Sequence, residues 1–137
     1  MELKIEKDIE IRFSEVDSMG VVWHGAYPLY LEDAREAFGA KYGLTYANYV
    51  ENSCFAPIVD MQIKYKQPLK HNSQVKIIAR FIPSDAAKVI FEYEIRDRNT
   101  DALFTTGKTV QVFMDLNYQL IWQNPDWYIE WKNKWQQ

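Results

Sequence analysis

Residues 15–35 read E-V-D-S-M-G-V-V-W-H-G-A-Y-P-L-Y-L-E-D-A-R, and two periodicities meet inside them. From Tyr27 onward, Tyr30, Leu31, Ala34 and Phe38 fall on one helical stripe, while Glu32, Asp33 and Glu36 face elsewhere. Pro28 suits a first helical turn, where its missing N–H has no partner to lose. Gly43 follows Lys41 and Tyr42, as a helix C-terminus prefers. The spacing predicts a helix of about four turns over these residues. Before it, Ser18-Met19-Gly20 breaks the pattern, and Gly20 permits a tight turn. Asp17 and His24 stand on either side of that turn. No Ser, Thr, Asp or Asn directly precedes the helix, so its first amides are free to meet something other than a side-chain cap.

Working outward, Ile9, Ile11 and Phe13 alternate with Glu10, Arg12 and Ser14, which predicts a half-buried strand ending near Glu15. Thr45 to Glu51 reads as a short helical turn or a loop. Beyond Pro57 the period of two returns in Val59, Met61, Ile63 and Tyr65. It recurs in Val75, Ile77, Ala79 and Phe81, in Val89, Phe91, Tyr93 and Ile95, and in Val110, Val112 and Met114. Short polar turns separate these runs, the pattern of an antiparallel meander. Asn124-Pro125-Asp126 then predicts a last helix with Asn124 as its N-cap. Trp127, Trp131 and Trp135 recur every fourth residue along it, a stripe expected to pack on the sheet or on another subunit. One central helix and at least four long strands must bury their apolar sides together, so the expected class is α+β. The compact solution is a strongly curved antiparallel sheet wrapped around the helix. A dimer that continues the sheet edge to edge would cover its open edge.

The length of 137 residues predicts a single domain over 1–137. A formal net charge of −3, with no basic run, argues against a general nucleic-acid binder. Apolar runs are too short for a membrane span, and M-E-L-K-I-E-K-D is too charged for a signal peptide. Cys54 is the sole cysteine, so no intrachain disulfide can form, and a cytoplasmic home is expected. It reads as a buried structural thiol, and His71 as an exposed loop residue. Two separated histidines and one cysteine give no metal-ligand spacing, and no glycine-rich phosphate loop is present.

The segment E-V-D-S-M-G-V-V-W-H-G-A-Y, followed by L-Y-L-E-D-A-R-E, resembles the signature of the hot-dog-fold acyl-CoA thioesterases. It is most similar to the 4-hydroxybenzoyl-CoA thioesterase-like family. A-P-I-V, K-Y-K-Q-P-L-K and V-F-M-D, further along, are similar too. The resemblance implies a hot-dog fold with a short C-terminal helix added. It implies hydrolysis of a thioester, carried by coenzyme A or acyl carrier protein, to a carboxylic acid and free thiol. It further implies Asp17 as the catalytic carboxylate, either general base or nucleophile, with His24 assisting. Amides from Val22 to Gly25 at the helix entrance would polarise the carbonyl, so Val22, Trp23, Gly25 and Tyr27 would surround the substrate. Phe13 stands where some members carry an assisting tyrosine. Asp60, after A-P-I-V, is a second candidate carboxylate, and Lys88 a candidate for the coenzyme A phosphates, with Lys64 and Lys66 behind it. The implied assembly is a homodimer or homotetramer, with no metal or redox cofactor; coenzyme A enters only as part of the substrate. Two rival expectations are a non-catalytic acyl-thioester or acyl-carrier binding module, and a hydratase or dehydratase of the same fold.

Overall fold

The helical stripe and the strands it needs are both realised in the computed structural model, which describes residues 2–135. Helix α1 (Tyr27–Tyr42) has Pro28 in its first turn and Gly43 at its C-cap with φ +86°, where the Gly43 amide bonds the Gly39 carbonyl. Tyr27, Tyr30, Leu31, Ala34 and Phe38 are its buried face, as the spacing predicts. Its start carries no side-chain cap. Thr45 caps a second helix, α2 (Tyr46–Glu51), by accepting from the Asn48 amide at 3.2 Å.

Seven strands form the sheet: β1 (Lys4–Ile9), β2 (Cys54–Phe55), β3 (Ile58–Tyr65), β4 (Val75–Ile82), β5 (Lys88–Asp97), β6 (Leu103–Asp115) and β7 (Leu120–Ile121). All pairings are antiparallel, in the order β1-β4-β5-β6, with β3 and β2 on the far side of β6 and β7 at its end. The expected meander holds for β4, β5 and β6 only. β3 pairs with β6 instead of its sequence neighbour β4. The linker between them leaves β3 by bonding the Lys66 and Gln67 amides to the Phe104 carbonyl. It then runs beneath the start of α1, where the Leu69 carbonyl meets the Val22 amide at 2.7 Å.

The N-terminal strand also departs from expectation. It covers Lys4–Ile9, paired Lys4↔Arg80 through Ile9↔Val75, and ends before the alternation does. Ile11 is still buried, but Phe13 is 80% exposed in a 3-10 turn over Phe13–Glu15. There Glu15 Oε1 accepts from the Arg12 amide at 2.9 Å, so a local side-chain bond replaces the ladder.

The concave face of the sheet closes on α1. Phe38 meets Phe91 edge-on at 4.8 Å, and Gly107 leaves room for Leu31 against β6. The last helix, α3 (Asp126–Trp135), seals the far end. Trp131 packs on Phe81 at 5.2 Å and donates from Nε1 to the Tyr42 carbonyl at 2.6 Å, capping α1. Trp127 packs edge-on against Phe113 at 6.0 Å. The tryptophan stripe therefore serves the chain's own core. Asn124 does not cap α3: its Nδ2 bonds the Asp85 carbonyl at 3.0 Å, and its buried Oδ1 has no partner among the described residues. Among the described residues no helix is long and apolar enough to cross a membrane.

Candidate active site

Asp17 sits in a hairpin built by its own neighbours. Val16 bridges Val22, Asp17 N–H bonds the Val21 carbonyl at 2.8 Å, and Gly20 N–H bonds the Asp17 carbonyl at 3.0 Å. Gly20 makes the reversal with φ +80°, a region costly for residues with a Cβ. The carboxylate is half-buried. Its Oδ1 accepts from the Met19 amide at 2.8 Å and the Val21 amide at 3.4 Å. Oδ2 has no protein partner among the described residues. One oxygen holds the turn and the other is available.

The hairpin delivers the chain to the start of α1, and the fate of each amide there can be followed. Val22 N–H goes to Leu69, and Trp23 N–H goes to the Glu15 carbonyl at 2.8 Å. Ala26 N–H closes a 3-10 turn onto the Trp23 carbonyl at 2.9 Å. The amides of His24 and Gly25 bond no protein acceptor among the described residues. The expectation of donors from Val22 to Gly25 is thus corrected to two, because strand-like contacts already consume the first pair. Both remaining N–H groups stand at a helix start, where the dipole favours negative charge.

His24, Tyr27 and Val22 line a cavity of about 280 Å³ with Tyr65, Lys66, Gln67 and Pro68. The Tyr65 hydroxyl donates to the His24 carbonyl at 3.4 Å, and its ring meets Tyr27 edge-on at 4.7 Å. Burial raises the Tyr27 hydroxyl above its ordinary pKa. The Trp23 indole lies across Gly25, where an added Cβ would fall 2.4 Å from the ring.

Other sequence candidates lie elsewhere. Asp60 is exposed on β3, its Oδ2 accepting from Gln62 at 3.4 Å, about 16 Å along the strand from Tyr65. Lys88 is exposed and borders a separate cavity of about 510 Å³ beside Trp122. Lys66, ranked behind Lys88 from sequence, is the lysine beside His24. Sequence reasoning missed Tyr65, legible only as the last inward member of the β3 alternation. It also missed Glu15, whose Oε1 accepts from the Tyr30 hydroxyl at 2.8 Å and so ties the hairpin to α1.

An antiparallel sheet closed on one long helix is the architecture of the hot-dog class of proteins. Residues 11–131 match the model of the Thioesterase-like superfamily, and the chain belongs to that superfamily. It is 32% identical over 91 residues to "Putative acyl-CoA thioesterase YneP" of Bacillus subtilis (strain 168), covering 66% of this chain and 65% of that protein. It is 23% identical over 83% of its length to the acyl-acyl carrier protein thioesterase ATL3, chloroplastic, of Arabidopsis thaliana, and covers 60% of that protein. The chain thus matches less than two thirds of the length of these relatives. Among solved structures, the DHNA-CoA thioesterase of Staphylococcus aureus superposes with a TM-score of 0.83 at 28% identity, covering 97% of this chain and 91% of that one.

Proposed function

We propose that the chain hydrolyses acyl-CoA thioesters to a carboxylic acid and free coenzyme A. The observation that carries this reading is the pair of unengaged amides, His24 and Gly25, beside a cavity and one hairpin away from a carboxylate with a free oxygen. The Bacillus subtilis relative, described as a "Putative acyl-CoA thioesterase", and the Staphylococcus aureus structure, described as a DHNA-CoA thioesterase, support a coenzyme A thioester as the substrate class.

The mechanism follows from those groups. The thioester oxygen lies against the His24 and Gly25 N–H groups, which receive the negative charge that grows on it. Water adds to the carbonyl carbon while Asp17 Oδ2 takes its proton; alternatively, Oδ2 adds directly and water later cleaves the anhydride. The C–S bond then breaks and the thiolate departs. A thiol with a reference pKa of about 8.5 leaves with little help, so the His24 imidazole serves to orient water or substrate more than to protonate sulfur. Lys66, exposed and lining the same cavity, is the cation we assign to a coenzyme A phosphate. These steps need no group beyond the chain and water. A cytoplasmic location fits a single, buried, unpaired thiol.

The assembly reading is a two-fold dimer through β3. Among the described residues that strand pairs on one side only, and Val59 and Tyr65 are 58% and 52% exposed along it.

Asp17→Asn tests the chemistry. The asparagine Oδ1 keeps the Met19 contact, so the fold should persist while thiol release from acyl-CoA falls by about 100-fold or more. Undiminished turnover in a folded variant would overturn the assignment of Asp17.

A further inference from the structure

Two peptide units carry the unengaged donors at the start of α1, and each is held from its carbonyl end. The His24 N–H belongs to the Trp23–His24 peptide, whose carbonyl accepts from the Ala26 amide at 2.9 Å. The Gly25 N–H belongs to the His24–Gly25 peptide, whose carbonyl accepts from the Tyr65 hydroxyl at 3.4 Å. The first hold is local and made by backbone. The second comes from a side chain 41 residues further along. An α-helix would supply the His24 carbonyl from the amide four residues on, but residue 28 is proline and has no N–H. Tyr65 gives that oxygen a donor from outside the helix.

The sheet fixes where this hydroxyl stands. Tyr65 pairs with Thr105 at the last position of the β3–β6 ladder. Directly after it, the Lys66 and Gln67 amides both bond the Phe104 carbonyl at 3.0 Å, so the backbone on either side is held. Its ring meets edge-on that of Tyr27, which is buried. A half-exposed side chain thus has a fixed seat. A phenol has a single proton to donate, and Tyr65 directs it at His24.

A trans peptide is planar, with its N–H and C=O pointing in opposite directions. Holding the oxygen therefore fixes the direction of the N–H. Donation to the oxygen also polarises the unit, which makes the N–H at its other end a stronger donor. The effect reaches a thioester oxygen through the peptide, with no contact from the phenol itself.

We propose that Tyr65 is a positioning residue for thioester hydrolysis: it orients and polarises the His24–Gly25 peptide and so sets the strength of the Gly25 N–H as a donor to the oxyanion. This rests on the thioesterase reading above.

One arm of the test needs no activity. His24-Gly25 is the only His-Gly step in the chain, because the other histidine, His71, precedes Asn72. Labelling with ¹³C-carbonyl histidine and ¹⁵N-glycine therefore leaves one directly bonded pair, and a single HNCO peak reports this peptide. Tyr65→Phe keeps the ring and removes the hydroxyl. The His24 carbonyl carbon and the Gly25 nitrogen should both move upfield in the variant, the direction expected when a carbonyl loses a donor. Unmoved shifts, or shifts the other way, would overturn the proposal.

The kinetic arm follows thiol release from benzoyl-CoA and hexanoyl-CoA. In Tyr65→Phe, kcat should fall about tenfold on both, less than for loss of a whole oxyanion donor, with KM within about twofold. An unchanged kcat would overturn the proposal. So would a loss carried by KM, or one matched by unfolding or by dissociation of the oligomer, either of which makes Tyr65 a structural residue. A failed thioesterase reading is distinguishable, as no thiol release from either substrate by the wild type. The peptide shifts then still decide whether Tyr65 holds the Gly25 donor.

Discussion

The Tyr30 hydroxyl donates to Glu15 Oε1 across 2.8 Å, joining the first turn of α1 to the loop that carries Asp17. The same carboxylate oxygen accepts from the Arg12 amide, and the Glu15 carbonyl accepts from Trp23. Burial, and then the neighbouring Glu15, hold the Tyr30 hydroxyl far above its ordinary pKa. Glu15 thus fixes the loop on which the two free amides depend.

Tyr30→Phe removes that bond and leaves the carboxylate with one partner. The expected cost is about 1–2 kcal/mol in urea unfolding, as for a hydrogen bond to a charged group. Turnover should fall by about tenfold as the loop loosens. Glu15→Gln keeps an accepting oxygen and should lose less on both counts. Equal effects from the two variants would show that the loop does not depend on this contact.

Gly25 is constrained by Trp23 and not by its backbone, since the three atoms nearest to an added Cβ all belong to the indole. Trp23 is 54% exposed and can swing away. Gly25→Ala should therefore cost less than about 1 kcal/mol in stability yet lower kcat/KM clearly, because the displaced ring lies 5.4 Å from His24. Combining it with Trp23→Ala should restore part of the loss, and a double-mutant cycle measures that coupling.

Trp131 tests the seal between α3 and α1. Its indole stacks on Tyr128 at 5.7 Å and packs on Phe81, while Nε1 occupies the Tyr42 carbonyl at the end of α1. Trp131→Ala should cost about 3–5 kcal/mol. Trp131→Phe keeps most of the packing but strands the carbonyl, for about 1–2 kcal/mol. Thermal and chemical denaturation of both variants check the order.

Buried tyrosines predict the alkaline limit of stability. Burial raises the hydroxyls of Tyr30, Tyr49 and Tyr128 in the folded chain, against about 10 when unfolded. The folded state thus binds these protons more tightly. Its advantage is complete below pH 10 and is lost as pH rises from there toward the folded values. Unfolding midpoints should be flat up to about pH 9 and drop above pH 10, with phenolate absorbance appearing only as the chain unfolds.

Much of this was legible in one dimension. The α1 stripe, the Gly20 and Gly43 reversals, the inward sets of β4 and β5, and the Asp17 to His24 spacing are all local, since side-chain periodicity and backbone freedom act over a few residues. Phe13 shows the limit of that reasoning: its alternation continues past the point where β1 leaves the sheet, because a side-chain bond from Glu15 offers the backbone another partner.

What three dimensions alone decided is the partnering of groups far apart in the chain. The Leu69 carbonyl takes the Val22 amide, the Glu15 carbonyl takes that of Trp23, and only the amides of His24 and Gly25 remain. Tyr65 reaches His24, and Arg35 reaches Tyr93, for the same reason. Hydrogen bonds and burial are settled by which distant segments the closed sheet brings together, and no local pattern records that outcome.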